Sequence, residues 1–186
     1  MRGATLALIL FGGLALAVAG RWGIARWLNG NGEARQDAVA AVRNAAGHVL
    51  GAITLQQTAD GVALRGQLRG LPPGPHGLHF HERGSCTPPD FASAGAHYNP
   101  HGRKHGLRNP EGPHAGDLPN LMVDNDGRAT VDLVAPNVTL RGGDAPLLDA
   151  DGTALVVHQD EDDQVTDPSG NSGDRIACGV VTAELR

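Results

Sequence analysis

The chain has 186 residues, 40% of them hydrophobic and only 3% aromatic, enough to bury one core built from Val, Leu, Ala and Ile rather than from rings. Its 27 glycines and 12 prolines exclude a helix bundle and point to short strands joined by turns. A formal charge of -5 with no basic stripe excludes nonspecific nucleic-acid binding, which requires neutralising phosphates.

Residues 4–20 form an apolar run behind a single Arg2 and end in Ala17-Val18-Ala19, the small-x-small form of a signal-peptidase site. This predicts export, to the periplasm or another extracytoplasmic space. The run is short for a membrane span, and Arg21 and Arg26 follow it, so cleavage as a signal peptide and retention as a membrane tether both stay open. Residues 21–46 lack periodicity and read as a linker, which leaves 47–186 as the folded body.

From His48 the pattern alternates. Residues 48–57 and 62–71 flank Asp60-Gly61 and predict a hairpin; residues 76–84 follow a Pro-rich corner as a third strand. Residues 120–134 predict a second hairpin about Asp126-Gly127, and 153–159 and 177–185 are the last two strand candidates. About seven or eight strands with Gly-rich turns predict an all-β sandwich or barrel. Two stretches, 84–118 and 159–175, have no periodicity. Loops this long need something other than secondary structure to hold them.

The histidines supply a reason. On a strand, residues two apart share a face, so His79 and His81 project together while Phe80 points the other way. His158, which closes a Val-Val-His run, can add a third nitrogen from a neighbouring strand. Such an all-imidazole set with an open position suits a redox metal such as copper. In the first long loop, His97, His105, His114 and Asp117 give three nitrogens and one carboxylate, the closed shell of a structural zinc. His97 stands first in the loop set and is the candidate to serve both metals, with binding to zinc alone as the alternative.

Three histidines remain. His48 and His76 read as structural residues or neighbours of the ligands, and His101 as exposed loop. Carboxylates should orient metal-bound rings through the nitrogen that faces away from the metal, and Asp162 in the acidic stretch 160–163 is the candidate. Arg175 lies near enough to the second cysteine to be pinned beside the metals as an anion guide. The only two cysteines, Cys86 and Cys178, are 92 residues apart. An oxidising compartment would let them pair; two unrelated thiols are the alternative.

Residues 77–86 (GLHFHERGSC), with AHYNPHGRKHG, PHAGDLPNL, LVVHQDEDD and GNSGDRIACGV, together resemble the copper/zinc superoxide dismutases over about residues 47–186, and the bacterial exported branch in particular. The resemblance implies an immunoglobulin-like Greek-key β-sandwich or flattened barrel with two long functional loops. It implies copper on His79, His81, His97 and His158, zinc on His97, His105, His114 and Asp117, and His97 as the shared ring. It pairs Cys86 with Cys178, makes Asp162 the carboxylate linking the two metal sites, and gives Arg175 the docking of superoxide.

The chain departs from the family's common pattern in carrying Pro168 where many members place a lysine, and in placing Asp174 beside Arg175. Steering of the anionic substrate is therefore expected to be weaker, or supplied elsewhere. An Asn137-Val138-Thr139 sequon is read as a chance match. The rival reading is an exported copper/zinc carrier or scavenging domain without turnover; such a domain should have lost a copper ligand or the arginine, and both are kept. The motifs leave the oligomeric state open between monomer and homodimer.

Overall fold

A computed structural model describes residues 37–184. The predicted signal peptide or tether, and the part of the predicted linker before Asp37, lie outside the described residues. Among the described residues no helix is long and apolar enough to cross a membrane.

Among the described residues nine strands carry the fold: β1 (Asp37–Asn44), β2 (Val49–Thr58), β3 (Gly61–Arg69), β4 (Gly74–His76), β5 (Leu78–His81), β6 (Leu121–Val123), β7 (Arg128–Ala135), β8 (Ala154–His158) and β9 (Arg175–Ala183). Seven form one antiparallel sheet in the order β5-β8-β9-β1-β2-β3-β7, and β4 pairs with β6 in a separate ribbon. The sheet curls into a half-barrel consistent with a Greek-key sandwich. One aliphatic core draws on both of its edges, Leu78 and Phe80 from β5 and Ala129 and Val131 from β7, with Ile53, Leu64 and Leu155 between them.

β1 corrects the linker boundary. Residues 37–44 belong to the sheet, paired along one side with β2 and along the other with β9. Ala38, Ala40 and Val42 are fully buried while Ala41 and Arg43 are exposed. The alternation was there to read, but it is written in alanines, whose weak strand preference and small apolar surface hide a period of two. Burial in the middle of the sheet, not local propensity, makes this segment a strand.

The first predicted hairpin forms as expected, with Thr58 opposite Gly61 across the turn. The second does not. Its turn closes, with Gly127 N–H donating to Asp124 O at 3.0 Å, but β6 pairs with β4 while β7 pairs with β3. The third predicted strand breaks at Gly77, whose N–H donates to Asp160 O and whose carbonyl accepts from His158 N–H. The break sends β4 into the ribbon and β5 into the sheet.

Candidate metal centre

β5 is the edge strand of the sheet, and its alternation is functional. Leu78 and Phe80 enter the core, whereas His79 and His81, both fully buried, face the other way. β8 runs beside it and ends in His158. The long loop then folds back along the open edge of β5. His79 pairs with Asp117 and His81 with His97 as isolated bridges, fixed by Phe80 N–H to Gly116 O at 2.9 Å and Tyr98 N–H to Phe80 O at 2.8 Å. Backbone pairing thus lays the loop ligands against the strand ligands.

Two groups of metal-type atoms result, each set within 4.8 Å: His79, His81, His97 and His158, and His79, His97, His105 and Asp117. In the second group Asp117 is the hub. Its Oδ1 lies 3.2 Å from His97 Nδ1, 3.1 Å from His105 Nδ1 and 3.3 Å from His114 Nδ1. Its Oδ2 accepts from the backbone N–H groups of Gly106 and His114 at 2.8 and 2.9 Å. His114 therefore belongs to this cluster by its contact with Asp117.

The outward nitrogens of His79, His81, His105 and His158 all have partners. His79 Nε2 lies 2.7 Å from Asp162 Oδ2 and His105 Nε2 lies 3.0 Å from Asp162 Oδ1, so one carboxylate joins a ring of each group. His81 Nδ1 and His158 Nδ1 face the carbonyls of Gly95 and Gly173 at 3.0 and 3.1 Å. Carbonyls and carboxylates only accept, so at His79, His81 and His158 these contacts place the ring proton on the outward nitrogen and a lone pair on the inward one. Inward, His79 Nδ1, His97 Nε2, His105 Nδ1 and His114 Nδ1 are buried with no hydrogen-bond partner. Buried polar atoms are seldom left so. Four orphaned nitrogens converging on two points fit a pair of cations.

Electrostatics divide the site. Burial lowers His79 to about 3 and His158 to about 4, and takes His81 well below the ordinary imidazole value. These rings are neutral at pH 7, as metal ligation requires. Burial also lowers His97, against the pull of Asp117. At His105 burial works the same way, but the neighbouring carboxylates of Asp117 and Asp162 override it and raise the ring to about 9. Burial opposes the charge on Asp117 and Asp162, and their histidine partners more than offset it, so both stay ionised.

Arg175 opens β9 opposite His158. Its Nη1 donates to Phe91 O at 2.8 Å and its Nη2 to Gly95 O at 2.7 Å, and Gly95 O is the same carbonyl that holds His81. Cys86 and Cys178 form a disulfide with Cα atoms 5.7 Å apart, tying the segment that carries Phe91 and Gly95 to β9. His76 is buried and contacts His158 O through Nδ1 at 2.9 Å, a structural neighbour as expected. His101 is exposed, as expected. His48 is exposed in the β1–β2 turn and stands apart from the site.

Two residues that hold the site escaped the sequence reading. Asn120 grips the Asp162 backbone with both ends of its amide, at 2.8 and 3.0 Å. Gln164 adopts a left-handed backbone, φ 60, from which its N–H donates to Asp162 Oδ1 and its side chain reaches Leu118 O and Leu107 N–H. Neither had a signal beyond lying in or beside a ligand-bearing loop.

Comparison with known proteins agrees with this geometry. Residues 49–181 match the family described as copper/zinc superoxide dismutase. "Superoxide dismutase [Cu-Zn] 2" of Aquifex aeolicus is 50% identical over 140 residues, 74% of this chain and 82% of that protein. "Superoxide dismutase [Cu-Zn]" of Caulobacter vibrioides is 47% identical over 147 residues, 77% and 84% of the two chains. A crystal structure of a SOD-like protein from Bacillus subtilis superposes with a TM-score of 0.75 at 42% identity, covering 77% of this chain and 97% of that one.

Proposed function

The chain belongs to the copper/zinc superoxide dismutase family, and from that premise we propose how its residues divide the work of converting superoxide to oxygen and hydrogen peroxide. His79, His81, His97 and His158 would hold copper, with His79 Nδ1 and His97 Nε2 among the buried nitrogens left without a hydrogen-bond partner. His97, His105, His114 and Asp117 would hold zinc, the three Nδ1 atoms being gathered about Asp117 Oδ1. The observation that carries this assignment is His97: its Nδ1 lies 3.2 Å from Asp117 Oδ1 while its Nε2 is orphaned on the opposite side. Copper, when bound, supplies a centre that takes an electron from one superoxide and returns it to a second.

The chain's own groups do the rest. Arg175 binds the anion. Its guanidinium is steadied by two carbonyls, and its charge is felt at His81 and His158, so it presents positive charge beside the copper ligands. Burial lowers its pKa without threatening its charge, given how high guanidinium starts. His97 Nε2 is placed to hold a proton for the departing peroxide while Nδ1 remains with the Asp117 cluster. Asp162 positions His79 and His105 together, so the two sites share one orienting carboxylate.

Export accounts for the remaining features. The apolar run behind Arg2 acts as a signal peptide or tether, and the disulfide fits an oxidising compartment. This supports a periplasmic or extracytoplasmic enzyme of the bacterial exported kind. The fold extends to an immunoglobulin-like Greek-key sandwich or flattened barrel, supported by the seven-stranded antiparallel sheet and its shared core.

Metal analysis of single alanine variants, run beside a superoxide-consumption assay, tests the assignment. His81→Ala should lose copper alone, His114→Ala zinc alone, and His97→Ala should weaken both. Full copper and zinc with no superoxide consumption, or activity with no copper, would overturn the reading.

A further inference from the structure

We propose that Gly170 is a positioning residue for the zinc site, because it roofs the Asp162–His105 hydrogen bond so closely that only a residue without a side chain fits there. The inference rests on the ligand assignment above. Gly170 is buried in the loop that follows His158, at φ +62. A Cβ on it would overlap Asp162 Oδ1, sit 2.5 Å from Asp162 Cγ and 2.7 Å from His105 Nε2. Real Cβ atoms do not approach side-chain atoms so closely, so one of the three groups would have to move.

The surroundings decide which. Asp162 is held at its backbone by Asn120 and at Oδ1 by Gln164 N–H. Gly170 N–H donates to Thr166 O at 2.6 Å, and its carbonyl accepts from Asp163 N–H at 2.9 Å. The overlap is with Asp162 itself and cannot be relieved by moving the histidine, so the carboxylate must turn against these ties and give up its bond to His105. The His105 ring is the one Asp162 orients, and its Nδ1 is a zinc ligand. A methyl group at position 170 would part the ring from the carboxylate and admit water to a bond now closed to it. Loss of such an outer partner weakens metal binding about 10- to 100-fold.

A left-handed backbone alone penalises alanine, and the chain carries its own control. Gly102 has the same φ of +62 in the first loop, with nothing within 4 Å of its Cβ position. Gly170→Ala and Gly102→Ala thus share the backbone cost, and only the first collides with the site.

The experiment measures zinc affinity of the full chain by chelator competition, together with the absorption of cobalt(II) bound in zinc's place, which reports the ligand geometry. Gly170→Ala should bind zinc at least tenfold more weakly and shift the cobalt spectrum, while Gly102→Ala keeps wild-type values. In an Asp162→Ala background, where the carboxylate it overlaps is gone and the bond to His105 is already lost, Gly170→Ala should cost less zinc affinity than it does in the wild type, and this holds as the readout if the single variant folds poorly. Unchanged zinc affinity in Gly170→Ala, an equal loss in Gly102→Ala, or additive losses in the double variant would overturn the proposal. A wild-type chain that bound no zinc would instead sink the ligand assignment beneath it.

Discussion

Replacing Cys86 and Cys178 by serine should cost the metal-free protein roughly a third or more of its stability and loosen the anion guide at the same time. The bond closes a loop of 92 residues. In the chain-entropy picture that loop is worth an entropy of about 15.6 cal/mol/K, or about 4.6 kcal/mol at 25 °C. Against a typical total of about 5–15 kcal/mol, this is large, and at about 2–4 °C per kcal/mol for a chain of this size it lowers Tm by roughly 9–18 °C. Two native features bear on how much of that appears. Cys178 is buried in β9 between β1 and β8, so serine there also strands a hydroxyl among apolar neighbours. Phe91, 2% exposed, stays packed against Ala154 and Val156 and retains part of the segment's order. Denaturant unfolding of the metal-free wild type and of Cys86→Ser/Cys178→Ser, compared at equal m-value, reads the difference. The same variant should show a slower reaction with superoxide, because the carbonyls of Phe91 and Gly95 that hold Arg175 ride on the released segment. A stability change under about 1 kcal/mol would refute the entropic argument, and an unchanged rate with intact copper would refute the link from the disulfide to Arg175.

Arg175→Ala should lower the second-order rate by about tenfold or more and weaken its dependence on ionic strength, since the fixed charge that draws a small anion is removed; stopped-flow consumption of superoxide across a salt series checks this. Asp162→Asn should weaken zinc by about 10- to 100-fold while copper is retained longer, read by competition with a chelator. The metal-free protein should be most stable near pH 6.5. His79 and His158, lowered to about 3 and 4, bind protons only in the unfolded chain below 6.5, so stability falls as pH drops from there. His105, raised to about 9, holds its proton only in the folded chain above 6.5, so its contribution is present below that value and fades as pH climbs through 9. Thermal melts from pH 4 to 10 would contradict this if stability rose steadily to pH 9.

The sequence by itself determined the chemistry. Ligand atoms belong to residue types, and a strand's period of two is enough to put His79 and His81 on one side of β5 with Phe80 on the other. The loop ligands and Asp162 were legible as residue types in the long loops, the pairing of Cys86 with Cys178 followed from the family resemblance, and the β class was legible because Asp-Gly turns between alternating runs leave few other folds. Tertiary structure decided what depends on contacts between distant segments. The alanine-rich β1 is a strand only because β2 and β9 flank it. β6 leaves its apparent hairpin partner because β4 offers the free edge that Gly77 creates. Asn120, Gln164 and Gly170 serve the metal centre by where their backbone places them, and nothing in an amide or a missing side chain announces that the Asp162 carboxylate, far along the chain or just beside it, will come to rest against them.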